Sequence, residues 1–226
     1  MGFFMKPLRV TWTFTSPVVT VSDYPTHLDG LVAYTVFEQA RSAGSKNPVE
    51  LSEDLSHVFG VEESVHGPIF QASMLSFDPM AEPFYANFVR RSEGQEWQQA
   101  QDAGLVSGRQ RTMLESTRGV HRAYFVQYPY QWMRSATAWC IADEVELRAA
   151  LAEIKSIGKM ARNGFGRVKE FSIVEDAQAL QKWRMRFLPI DVAGDPSLDY
   201  VRSQNLCIRA PYWRRDLAVP AKEPIL

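Results

Sequence analysis

At 226 residues the chain is long enough to bury a good core as one large or two small domains, and an apolar share of 46% is ordinary for a globular protein. No apolar stretch is long enough to span a membrane, and the opening Met1-Gly-Phe-Phe-Met-Lys6 is too short and wrongly ordered for a signal peptide, so a cytoplasmic protein is expected. The net charge of -1 hides an asymmetry: residues 1–106 hold 6 Lys/Arg against 13 Asp/Glu, residues 107–169 hold 11 against 5, and residues 170–226 hold 8 against 8. A basic middle behind an acidic front suits a phosphate-tracking surface beside a partner-facing one.

Leu8-Arg-Val-Thr-Trp-Thr-Phe14 alternates apolar and polar residues and predicts a half-buried strand ending at Ser16-Pro17. Between Thr26 and Ser42 a helix is predicted, with Leu28, Leu31, Val32, Val36 and Ala40 on one face and Gly44 as its C-cap. Residues 45–106 give no firm order; the acidic stretch from Glu50 to Glu63 suits short helical pieces, and Pro68, Pro79 and Pro83 punctuate the chain beyond it. From Arg109 to Arg134 a basic hairpin is expected to run into a strand. Its cations Arg109, Arg111, Arg118 and Arg122 precede Tyr124, Tyr128, Tyr130 and Trp132, a mixture suited to phosphate contact and base stacking.

Thr137–Ala142 reads as a buried strand. Asp143 with Glu146 forms a capping-box pattern for a helix whose buried face is Leu147, Ala150, Leu151 and Ile154, and Gly158 is expected to stop it. Val168–Val174 alternates as a strand, and further strand-like patches lie at Trp183–Leu188, Leu206–Arg209 and Tyr212–Trp213.

Between helix and strand stands Gly158-Lys-Met-Ala-Arg-Asn-Gly-Phe-Gly-Arg-Val-Lys169, glycine-punctuated and carrying Lys159, Arg162, Arg167 and Lys169. Glycine admits positive φ and close backbone approach, and the cations add charge, so the loop seeks anions. The commoner phosphate loops run strand, loop, helix and use the helix N-terminus; here the helix comes first and presents its negative end. Side-chain cations and loop amides must therefore do the binding. The plainer alternative is a helix C-cap followed by a turn.

No metal or cofactor is expected. His27, His57, His66 and His121 lack ligand spacing, and Cys140 and Cys207 lie far apart in apolar surroundings. The one enzymatic reading the residues allow is metal-independent RNA cleavage, with His27 and Tyr24, or His121, supplying acid-base chemistry to a 2′-hydroxyl.

The opening Thr15-Ser-Pro-Val-Val19 and Asp23-Tyr-Pro-Thr-His-Leu-Asp29, followed by strand, helix and Gly158-Lys…Gly164-Phe-Gly166-Arg-Val168, resembles the RAMP superfamily of RNA-binding CRISPR proteins. Within it the chain is similar to the Cas-five-like subunit of type IV effector complexes, from about residue 8 to 175, with Ala210-Pro-Tyr-Trp213 a weaker match. The resemblance implies an α+β, ferredoxin-like (RRM-like) domain over residues 1–175, a thumb hairpin inserted at about 105–135, and an extension at 176–226 packed on the domain. It also implies a non-catalytic subunit that grips the 5′ handle of the guide RNA (crRNA) and caps a filament of Cas-seven-type backbone subunits. Other effector subunits would be neighbours, and target DNA is a further candidate contact. The RNA-binding residues would be Gly158, Lys159, Arg162, Asn163, Gly164, Phe165, Gly166 and Arg167, with the thumb arginines assigned by position. Guide-processing relatives usually carry the loop near the C-terminus, whereas nearly sixty residues come after it here. Precursor cleavage stands as the alternative.

Overall fold

The computed structural model describes residues 4–20, 25–90, 94–105 and 122–225. It is a mixed α+β protein whose sheets are antiparallel, divided into one unit of residues 1–82 with 131–226 and a second of residues 83–130.

The first unit begins with β1 (Met5–Phe14), whose alternation places Leu8, Val10 and Trp12 fully in the core. Helix α1 (Leu28–Ser42) buries Leu28 and Val32 on one face and ends with Gly44, at φ +75°, donating its amide to the Arg41 carbonyl. The short α2 (Pro48–Glu53) is followed by a minimal ladder of β2 (Val61–Glu62) and β3 (Ile69–Phe70), then by β4 (Ser76–Pro79).

The chain leaves for the second unit after β4. That unit pairs β5 (Phe84–Arg90) with β6 (Tyr124–Tyr130) in a seven-residue antiparallel ribbon and carries α3 (Gly94–Asp102). It runs from Pro83 to Tyr130, and Gln131–Arg134 belong to the first unit.

Back in the first unit, β7 (Met133–Asp143) is longer than the predicted strand and runs without a linker into α4 (Glu144–Ala152). Asp143 joins them as the N-cap, its carboxylate accepting the Val145 and Glu146 amides as predicted, while its own amide donates to the Val58 carbonyl and not to Glu146. The helix ends at Ala152, six residues before Gly158, because residues 155–157 pair with 166–168 instead: Val168 donates to the Lys155 carbonyl and Ile157 to that of Gly166. After β8 (Val168–Glu175) the central sheet is complete, in the order β4-β7-β1-β8. Taken with α1 and α4, its strands follow a β-α-β-β-α-β order, with α2, β2 and β3 intervening before β4 and the second unit before β7, and the core lies between β1, β7, α1 and α4.

Residues 176–226 form α5 (Ala179–Lys182) and a three-stranded sheet, β10-β11-β9, of β9 (Leu188–Pro189), β10 (Tyr200–Leu206) and β11 (Val219–Pro224). Trp183, Leu188, Val192, Ile208 and Ala221 pack with Ile69 into a second, smaller core. The strand patches predicted at 206–209 and 212–213 are mostly irregular, and the central strand of this sheet is instead the proline-bearing 219–224. Among the described residues no helix is long and apolar enough to cross a membrane, and no group of three or more His, Cys, Asp or Glu is placed to hold a metal ion.

Candidate nucleic-acid interface

The glycine loop has a fixed shape, and its glycines are not equivalent. Gly158 (φ +93°), Gly164 (φ +89°) and Gly166 (φ +65°) all adopt the left-handed region, as does Met160 (φ +62°). A Cβ on Gly158 would stand 2.7 Å from the Val19 carbonyl oxygen, and one on Gly166 would overlap the Ile157 carbonyl. At Gly164 it would meet nothing within 4 Å. At Gly166, therefore, the space a side chain would take is filled by the chain itself, and Gly164 is the loop glycine that faces open space.

The amides are likewise engaged internally. Lys159 donates to Val19, Asn163 and Phe165 to Met160, Gly164 to Ala161, and Gly166 to Pro17, while the Arg167 amide donates to Ser16 Oγ. Segment 15–19 and segment 154–168 are thereby laced together, which gives the Thr15–Val19 stretch a structural reason for its place beside the loop. These six loop amides are bonded within the chain and are not open to a ligand. Arg162, Arg167 and Lys159 are exposed; Lys169 lies 3.9 Å from Glu170, and Lys155 donates to the Ala152 carbonyl. The short 3-10 turn Ala161–Asn163 carries Arg162 and Asn163 outward.

The other motif, around His27 and Asp29, is buried. Arg186 has no exposed surface and donates to the carbonyls of Phe70 (2.5 Å), Ala72 (2.8 Å) and Ile208 (2.5 Å), to Tyr212 Oη (2.7 Å) and to Asp29 Oδ2 (3.1 Å). The Tyr212 hydroxyl in turn donates to Asp29 (2.7 Å to Oδ1). His27 stacks on the Tyr212 ring at 4.4 Å between centroids, its Nε2 accepts the Phe187 amide, and its Nδ1 meets the Pro25 carbonyl at 3.2 Å. Burial, helped by the Arg186 charge, holds the imidazole well below its ordinary pKa. Burial pulls the Arg186 guanidinium down, but Asp29 and Tyr212 outweigh it and the net shift is upward; burial drives Tyr212 well above its ordinary value. Two of the stretches named for the resemblance, the described part of 23–29 and Ala210–Trp213, thus meet in one buried assembly.

A family model described as CRISPR type IV associated protein Csf3 matches residues 6–224. The chain belongs to the Csf3 family. No curated protein matches it.

Other predicted site residues of this Csf3 family member fall differently. Arg122 is exposed on the 83–130 unit, beside β6. Arg109, Arg111, Arg118, His121 and Tyr24 lie outside the described residues. In the ribbon, Phe84 stacks on Tyr130 (5.8 Å) and Phe88 meets Tyr128 (6.1 Å), while Tyr85, Phe125 and Tyr124 remain largely exposed. An apolar, aromatic two-stranded ribbon of this kind is marginal in water by itself. The sequence reading missed Arg186; an arginine inside the apolar run Trp183–Leu188 was the available sign, since a charge among core residues must be paired.

Proposed function

We propose that this Csf3 family member is a non-catalytic subunit of a type IV CRISPR ribonucleoprotein that binds the 5′ handle of the guide RNA and caps a filament of Cas-seven-type backbone subunits. The observation that carries the reading is the loop: a glycine-rich turn, laced by its amides to itself and to segment 15–19, that displays Arg162 and Arg167 to solvent. Membership of a type IV CRISPR family supplies the context of a complex with other subunits. The β-α-β-β-α-β order and antiparallel sheet support a ferredoxin-like, RRM-like RAMP domain. On this reading residues 83–130 are the thumb and residues 176–226 the extension.

RNA contact belongs on the loop and ribbon, not on the open sheet face. That face presents Thr11, Thr13, Ser135 and Thr137, opposite the buried Leu8, Val10, Trp12 and Ala136. The Trp139 ring on the same face is covered by Lys182, 4.6 Å from its centroid, so the face does not offer the open aromatic rings on which an RRM stacks bases. Absence of catalysis is part of the proposal, and the burial of His27 with both ring nitrogens engaged supports it. Mixing the protein with precursor guide RNA in EDTA tests it. A retarded complex with intact RNA is expected; a 2′,3′-cyclic phosphate product would establish the nuclease instead.

A further inference from the structure

Directly beside the glycine loop lies an open groove of about 820 Å³, within the range of ligand sites and larger than one base requires. Its floor is apolar, built from Leu31 of α1, Leu75, Phe77 and Met133 around the β4 edge, and Ile154 behind them. Its mouth carries Tyr34, 57% exposed although aromatic. Gly158, Lys159 and Ala161 are wall residues as well as loop residues, so the groove and the cationic loop form one continuous surface.

The charges argue for what enters. Glu153 and Lys155 flank the groove, and Lys159 stands where it meets the loop. A carboxylate beside an apolar floor repels a phosphate but accepts hydrogen bonds from an amino group. A strand whose phosphates lie on Arg162 and Arg167 has bases free to splay, and unstacked bases bind on aromatic faces. We infer that this groove takes one unstacked base of the bound RNA, ring against Tyr34, with an exocyclic amine donating to Glu153. The occupant is thus an amino-bearing base, adenine, cytosine or guanine. The inference rests on the RNA-binding reading above and adds to it a base-specific site that phosphate contacts cannot provide.

The test uses the full chain and the short RNA that copurifies with it, resynthesised with a single abasic site moved along its length and bound in a fluorescence anisotropy assay. One position is expected to lose about five- to a hundredfold in affinity when abasic, the range for one base–aromatic stack, while its neighbours lose little. In Tyr34→Ala that penalty should fall to about twofold or less, by double-mutant logic. In Glu153→Gln, replacing the base at that position by uracil should cost less than it does in the wild type. Both substitutions are at exposed positions, so folding is not at stake. Uniform abasic penalties, or one penalty unchanged in both variants, would overturn the groove assignment while leaving RNA binding standing. Absence of any RNA binding would overturn the function reading, and the groove with it.

Discussion

Asp29 and Arg186 lie 157 residues apart and meet as an ion pair with no exposed surface on either side chain. Breaking one side of such a pair leaves an uncompensated buried charge, so Asp29→Asn should cost about 3–5 kcal/mol in urea denaturation. Asp29→Asn with Arg186→Met should cost clearly less than the sum of the two single changes; strict additivity would contradict the pairing. His27 gives a pH signature. Its folded pKa is depressed, so the unfolded chain binds the extra proton below about 6.5 and stability falls as pH drops, by up to about 1.4 kcal/mol per unit. Thermal unfolding from pH 7.5 to 5 should show this decline, and His27→Gln should flatten it; equal slopes would mean the ring is not sealed. The loop glycines separate in the same kind of experiment. Gly166→Ala should cost more than about 3 kcal/mol or prevent folding, since the Cβ overlaps the Ile157 carbonyl, whereas Gly164→Ala should cost only about 1–2 kcal/mol for its positive φ. Comparable costs at both positions would contradict the packing described for Gly166.

At the scale of elements, those with self-contained signals were legible and those that depend on distant partners were not. The alternation of β1, the apolar face of α1 and the Asp143 cap of α4 are local, and all three appear as read. Asp143→Ala should lower stability by about 1 kcal/mol without altering the fold, as measured by denaturant midpoint and circular dichroism. The end of α4 was misplaced because Ile154 and Ile157 continue an apolar pattern; what stops the helix is pairing with residues 166–168, a tertiary event. Strand β11 escaped notice because Pro220 and Pro224 argue against a strand, especially a central one. Its register shift between Arg202 and Asn205 of β10 accommodates the irregularity. In the glycine loop the cations are legible in the sequence, whereas the internal use of the amides depends on segment 15–19 being in place.

For the whole molecule, the asymmetric charge along the chain and the family membership point the same way. The basic middle includes the loop in one unit and Arg122 in the other, so on the proposed function phosphate contact is distributed along the sequence, not confined to one turn. The Asp29 assembly gives residues 25–29 and 210–213 a shared structural role: with Arg186 they tie the start of α1 to the chain beyond β10 within the first unit. The central claim is that exposed loop arginines hold RNA phosphates, and a salt titration of guide-RNA binding tests it most directly. The account predicts a steep fall of log K with log salt, about -0.7 per phosphate over roughly four to six contacts, that becomes shallower by about 0.7 in each of Arg162→Ala and Arg167→Ala at unchanged thermal stability. A nearly flat titration, or a steep one that neither substitution alters, would contradict it.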